Sequence, residues 1–421
     1  MQMLYNLILR LLLPFIILRL FIKSYTNPDY RKYISERFGF RLPKIKHKNP
    51  LWIHTVSVGE FLSIRPLLEH LLSQEPNLNL WISCTTPTGR KQIKNFTNLY
   101  PDNVQYSYYP YDLPSITRRF FSHIQPRGLI LMETEIWPNL LLTAQKFDCP
   151  ALLINARLSK KSLRGYYRFA RKLLQKPLKH LKINAQTRQD AKRFQKLSSY
   201  LQPEITPSLK FIAPNKPIPS LANFIPPSTF LWLAASTHAG EEEIILKTHC
   251  ELIKKYPNLQ LCIAPRHPER RNQIQALIKK YGFNSVLRSK NQTLPNNATK
   301  TIAILDTLGE LSNAYASATV AFIGGSLVNH GGHNPLEAIH AGCPVIFGPS
   351  MYNFQYIRDI LIKQPFAREV RKETIAINIE NLLNRQKNEP AQKQIHQYNI
   401  KNITDVLFAH SKFIYKYIYI T

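Results

Sequence analysis

At 421 residues, with 44% of them hydrophobic, the chain is long enough for two domains, each with its own core, and its composition excludes a disordered protein. Lysine and arginine outnumber aspartate and glutamate by 56 to 26, a net charge of +30, so the expected partners are anionic: nucleic acid, a membrane surface or a phosphorylated substrate. The five cysteines, Cys84, Cys149, Cys250, Cys262 and Cys343, include no CxxC pair and several lie in apolar runs, which argues for reduced core residues and against a zinc site.

The chain opens with "MLYNLILRLLLPFIILRLFIK", apolar except for Asn6, Arg10 and Arg19, with Pro14 near its middle and no small-residue cleavage site after it. This is no signal peptide. It is expected to act as a membrane anchor over residues 1–22, either as a short span or as a helix lying in the interface with its arginines reaching lipid phosphates. Between Lys23 and Lys48 the basic residues Lys23, Arg31, Lys32, Arg37, Arg41, Lys44, Lys46 and Lys48 face only Asp29 and Glu36, which places the following domain on the cytoplasmic side.

The next stretch, "LWIHTVSVGEFLSIRPLLEHLL", reads as strand, tight turn and helix. Phe61, Ile64, Leu67, Leu68 and Leu71 recur at the spacing of one helical face, so Glu60 opens the helix. There the unpaired N–H groups and the helix dipole favour its ionised form. Two roles fit that position: a helix-start charge, or a general base at the carboxyl end of a parallel strand, where open α/β sheets bind ligands.

Further short apolar runs follow, "NLNLWISCT", "VQYSYYP", "RGLILME", "PALLINA" and "LKINAQT", separated by segments several of which have helical periodicity, as expected for a parallel sheet with crossover helices. They assign residues 23–202 to one doubly wound domain. Seven prolines between Pro203 and Pro227 mark residues 203–227 as an interdomain linker. The pattern then restarts with "TFLWLAAST", "NLQLCIAPR", "TIAILD", "TVAFIGGS" and "CPVIFGP", giving a second doubly wound domain over residues 228–421.

The second half contains the most specific motif, "FIGGSLVNHGGHNPLEAIHAGCPVIFGP". Asn334 suits an N-cap, Pro335 the first helical position, and Glu337 the third, from which it reaches back to the cap. Gly324, Gly325, Gly331 and Gly332 leave backbone amides open beside a helix start, an arrangement that commonly holds phosphate, and a carboxylate in the first turn suits a ribose diol. In "CIAPRHPER", Arg266 and His267 lie just beyond a strand, where a guanidinium can bind phosphate in a bidentate manner. In "LDTLGELSNAYASA", Leu308, Gly309 and Glu310 form another strand-to-helix turn whose backbone can read a base edge. Three such strand ends in one domain point to a nucleotide.

The motifs "HTVSVGE", "PYDLP", "METEIWPNLL", "NARLS", "SLKF", "STHAGEEE", "PRHPER", "DTLGEL" and "GGSLVNHGGHNPLEA" occur in the order and spacing of the bacterial 3-deoxy-D-manno-octulosonic acid (Kdo) transferases, which the chain resembles from its N-terminus to about Phe354. The resemblance implies a GT-B fold of two Rossmann-like domains facing a cleft. It implies CMP-Kdo as donor, a lipid A precursor (lipid IVA) as acceptor, and inverting transfer at the cytoplasmic face of the inner membrane during lipopolysaccharide synthesis, with anionic inner-membrane lipids as a partner surface. It makes Glu60 the general base, Glu133 and Lys210 the transition-state stabilisers, and Pro265, Arg266, Leu308, Gly309, Glu310, Asn334, Pro335, Leu336 and Glu337 the CMP contacts. A monophosphate leaving group calls for no metal or other cofactor, and no carboxylate cluster with metal-ligand spacing accompanies these loops. Two readings from other classes stand beside this one: another membrane-associated GT-B enzyme using a UDP-sugar, and a non-catalytic basic protein binding membrane or nucleic acid. The aromatics do not interleave with a basic patch in an RNA-binding pattern, so no nucleic-acid partner is expected.

Overall fold

The computed structural model describes residues 1–212, 221, 223–226, 230–295, 300–388 and 391–419. The chain divides into two compact units, Met1–Ile212 with Ile403–Thr421, and Ala213–Asn402. The division differs from the sequence expectation at the C-terminus, where residues 403–421 belong to the first unit. The helix Ala391–Ile418 begins in the second unit and ends in the first. Its aromatic end is held there by the Tyr419 hydroxyl, which donates to Glu75 at 2.8 Å and accepts from Arg127 at 2.6 Å. A Cβ on Gly128 would lie 2.7 Å from the Ile418 side chain, so glycine is what lets this helix approach the strand. Helical periodicity shows that the tail is a helix but not which core its apolar face covers.

The first unit carries β1 (Leu51–Thr55), β2 (Leu80–Cys84), β3 (Val104–Tyr108), β4 (Gly128–Met132), β5 (Ala151–Ala156), β6 (Leu181–Ala185) and β7 (Glu204–Ile205), all parallel, in the order β3-β2-β1-β4-β5-β6-β7. β1, β2, β4 and β5 are buried along their whole length, because crossover helices cover both faces of the sheet. Their apolar residues therefore run without alternation. Trp52, Trp81, Phe120 and Phe121 fill the space between sheet and helices.

The second unit repeats the plan with β8 (Phe230–Thr237), β9 (Leu259–Pro265), β10 (Asn284–Leu287), β11 (Thr301–Ile304), β12 (Val320–Ile323), β13 (Val345–Phe347) and β14 (Ala367–Glu369), parallel in the order β10-β11-β9-β8-β12-β13-β14. Of the linker expected over 203–227, residues 213–220, 222 and 227 lie outside the described residues. Its first part is not linker: Glu204–Ile205 pairs with β6, and Leu209–Phe211 forms a 3-10 turn.

Both sheets have a topological switch point. In the first, the chain lays β2 and β3 on one side of β1 and returns to place β4 on the other; in the second, β9 and β12 flank β8 in the same way. Loops that leave adjacent strands in opposite directions open a crevice at the strands' carboxyl ends.

The N-terminal segment is one helix, Gln2–Ser24, unbroken at Pro14 and with no buried residue. One of its faces is tied to the first unit. The Tyr5 hydroxyl donates to the buried Asp112 at 2.9 Å, the Asn139 amide donates to Asn6 at 2.8 Å, and Leu9 and Leu13 pack on the core. Asp112 in turn accepts the backbone N–H groups of Asn139 and Leu140 at the start of the helix Pro138–Lys146. The opposite face exposes Met3, Leu4, Leu7, Leu11, Phe15 and Leu18. No helix among the described residues is long and apolar enough to cross a membrane, so the spanning form expected for residues 1–22 is not met.

Candidate active site

Glu60 and Glu133 follow β1 and β4, the two strands at the first unit's switch point. The helix after β1 starts earlier than its apolar face suggests, at Val58, with Ser57 as its cap. Ser57 Oγ accepts from the Glu60 N–H at 3.3 Å, while Glu60 Oε2 accepts from the Val56 N–H at 2.8 Å, one residue before the cap. This is a capping box displaced by one position, and it fixes the carboxylate over the strand end. The expectation that the helix start favours the ionised form is overturned. Burial pushes the Glu60 carboxyl up to about 7, against the Val56 hydrogen bond; the Glu133 and Glu135 carboxylates add to the rise and the Lys210 ammonium opposes it.

Glu133 has φ +51°, a left-handed conformation that costs a non-glycine residue on the order of 1 kcal/mol and persists only where its surroundings enforce it. Here β5 enforces it: the Glu133 N–H donates to Ile154 O at 3.1 Å, and its carbonyl accepts from the Arg157 N–H at 3.2 Å. Its carboxylate lies 3.0 Å from Lys210 Nζ and 3.2 Å from Arg157 Nε, and is only 12% exposed. Glu135, two residues on, accepts from the Trp137 indole at 2.7 Å, and burial raises its carboxyl as well. Lys210 reaches Glu133 because Asn155 Oδ1 accepts from both Ser208 Oγ and the Leu209 N–H at 3.1 Å, tying the turn Leu209–Phe211 to the end of β5. The structure thus brings Glu60, Glu133 and Lys210 together at one switch point. Sequence reasoning gave no role to Arg157 or Asn155, although both lie in "NARLS"; the signal was a polar pair ending an otherwise apolar strand.

In the second unit, Pro265 ends β9, and the exposed Arg266 donates its backbone N–H to Thr237 O at 3.1 Å beside the end of β8. Leu308 and Gly309 are exposed in the loop after β11, whereas the Glu310 carboxylate is bound by the Arg288 guanidinium, with Nη2 at 2.8 Å, and by the Thr307 hydroxyl. The helix after the glycine-rich loop runs Leu336–His340, one residue later than expected. Pro335 is its cap, Asn334 Oδ1 accepts from the Leu336 N–H at 3.2 Å, and Glu337 is hydrogen-bonded to the Asn334 side chain. Arg266, Glu310 and Glu337 make no hydrogen bond or ion pair with one another among the described residues.

The glycine loop itself departs from expectation, because its amides are not open. The buried Glu241 carboxylate accepts from the N–H groups of Gly325, Ser326 and Leu327 at 2.8–3.1 Å and from that of His238 at 2.9 Å. Gly324 donates to Ala235 O, Gly331 to Ser350 Oγ and Gly332 to Gly325 O. Glycine at 324 is needed for closeness, since a Cβ there would lie 2.2 Å from Ser236 O. No local pattern around "STHAGEEE" reveals that Glu241 fills a loop 84–86 residues further along the chain.

Two all-parallel Rossmann-like units in one chain resemble the fold of the GT-B glycosyltransferases, which a UDP-GlcNAc 2-epimerase from Neisseria meningitidis shares with a TM-score of 0.57 at 14% identity, over 88% of this chain and 100% of that one. Among solved structures, a glycosyltransferase from Rickettsia africae ESF-5 superposes with a TM-score of 0.54 at 12% identity, covering 88% of this chain and 99% of that one. Residues 32–213 match the family model described as 3-deoxy-D-manno-octulosonic-acid transferase. The 3-deoxy-D-manno-octulosonic acid transferase of Haemophilus influenzae is 37% identical over 90% of this chain and 90% of its own, and that of Aquifex aeolicus 32% identical over 78% and 84%. The chain belongs to the 3-deoxy-D-manno-octulosonic acid transferase family.

Proposed function

We propose that this enzyme moves Kdo from CMP-Kdo to a lipid A precursor with inversion at the anomeric carbon, and that Glu60 is its general base. The observation that carries the proposal is Glu60 itself: a carboxylate at the switch point, held over the strand end and raised to about 7, where a base is best matched to neutral pH. Glu60 takes the proton of the acceptor hydroxyl, that oxygen bonds to the anomeric carbon of Kdo, and the bond from this carbon to the CMP phosphate oxygen breaks. Glu133 offsets positive charge developing on the sugar. Lys210, 3.0 Å from Glu133, pairs with that carboxylate and offsets the anionic groups of donor and leaving group. Pro265, Arg266, Leu308–Glu310 and Asn334–Glu337 hold the nucleotide. Competition distinguishes this reading from a UDP-sugar enzyme: CMP is expected to inhibit transfer and UDP to leave it unchanged, and the reverse order of potency would replace Kdo as the transferred sugar.

The enzyme works, on this proposal, at the cytoplasmic face of the bacterial inner membrane. Its N-terminal helix lies in the interface, with the exposed face of Leu4, Leu7, Leu11, Phe15 and Leu18 toward lipid and the basic residues between Lys23 and Lys48 facing anionic headgroups. Deleting Met1–Phe21 is expected to release the protein from membranes in a flotation assay while transfer to detergent-dispersed acceptor continues, because the helix supplies local concentration and no chemistry. A truncated protein that still floats with membranes would move the lipid contact to the folded units.

A further inference from the structure

At the second unit's switch point, four histidines gather around the loops leaving β8, β9 and β12. The His238 and His333 rings are parallel within 1°, with Nε2 atoms 2.9 Å apart, and the exposed His330 stacks on His238 with centroids 4.2 Å apart. His267, after β9, meets the His238 ring edge-on at 6.0 Å. Glycine at 325 makes room for the pair, since a Cβ there would lie 3.3 Å from the His333 ring and 3.4 Å from that of His238. Only one hydrogen fits between two nitrogens at that separation, so the pair as it stands holds one shared proton and can gain another.

The groups around these rings favour an anion. Arg266 and Arg270 act on them, and the nearby carboxylates are engaged elsewhere, Glu241 by four backbone amides and Glu242 by Arg270 at 2.7 Å and the Thr237 hydroxyl at 3.0 Å. His267 itself leans on Glu269 at 3.4 Å. The backbone cradle that would ordinarily hold a phosphate at such a loop is filled by Glu241, which leaves the imidazoles as the donors at the strand ends.

We infer that His238, His330 and His333 receive the phosphate of the nucleotide, taking up a proton from solvent as it arrives. This rests on the nucleotide reading above and adds to it the groups that meet the leaving phosphate. In the free protein, burial and the neighbouring cationic and imidazole groups hold His238 below its ordinary value and His333 down at about 4, so both of these rings favour the neutral form. A dianion beside them reverses the balance and draws in a proton, making the hydrogen bonds to it charge-assisted.

The test is calorimetric titration of the full chain with CMP and with cytidine, in buffers of differing ionisation enthalpy, between pH 7 and 9, where the phosphate, with its second pKa near ~6, stays dianionic. The expected result is net uptake of up to one proton per CMP and none with cytidine, with CMP affinity falling by as much as about tenfold per pH unit. His238→Gln and His333→Gln should each weaken CMP at least about tenfold, abolish the uptake and leave cytidine binding intact. The exposed His330→Gln should do the same to a smaller extent, and its solvent-facing position keeps the test independent of folding. CMP bound by these variants with wild-type affinity and wild-type proton count would overturn the assignment and leave the nucleotide reading standing. A wild-type chain that binds neither CMP nor cytidine would overturn both.

Discussion

Replacing Glu60 with glutamine is expected to leave a folded, donor-binding protein whose turnover falls by roughly 10²–10⁴-fold, the usual contribution of a positioned general base. In the wild type the base acts unprotonated, so kcat/KM should rise with pH and level off above about 7, the value to which burial raises this carboxyl. The variant should lack that ascending limb. Stability supplies an independent sign. A carboxyl whose folded pKa lies above its unfolded one binds more protons folded than unfolded, so its contribution falls as pH rises from the ordinary glutamate range to about 7. Glu60→Gln should therefore hold its melting temperature better than wild type as pH rises through that window. A mere helix-start charge would behave in the opposite way, costing ~0.3–1 kcal/mol when neutralised and leaving turnover intact.

The second large effect concerns the pair beside it. Lys210→Met and Glu133→Gln should each lower plateau turnover by about 10²–10³-fold, the scale for losing one preorganised charge at a developing transition state. Their pH profiles should move in opposite directions. The Lys210 ammonium lowers the Glu60 carboxyl and the Glu133 carboxylate raises it, so Lys210→Met should shift the ascending limb to higher pH and Glu133→Gln to lower pH. If both variants lost rate with the limb unmoved, the ion pair would be a scaffold for the loop after β4 and would not act on the base.

Much of the architecture was legible in the sequence, for a physical reason. Strands buried on both faces read as continuous apolar runs, and β1, β2, β4, β5, β8 and β9 announced themselves in that way. The strands that did not, β7, β10 and β14, are two to four residues long and lie at sheet edges, where one side needs no partner and the composition turns polar. The final turns of the helix Ala391–Ile418 were read into the wrong unit because amphipathicity marks a buried face without naming what buries it.

The site divides along the same line. Glu60, Glu133 and Lys210 were singled out through motifs, and the structure places them at one switch point, but the state of Glu60 was misread, because a helix start seen in sequence shows the local N–H groups and hides the desolvation that overrides them. The open amides expected of the glycine loop were misread likewise: Glu241 reaches them from 84–86 residues away. No local pattern records a contact of that span. Arg157 was hidden by its place in a strand-end motif whose charge answers a residue in the loop after another strand.

Mass spectrometry of the product formed by the purified full chain from CMP-Kdo and a tetra-acylated lipid A precursor identifies both the transferred sugar and its acceptor. Acceptor ions heavier by one or more Kdo residues are expected, with CMP released in equal number, and neither with the Glu60→Gln enzyme. Unmodified acceptor with CMP-Kdo, together with transfer from a UDP-sugar by the same preparation, would contradict that expectation.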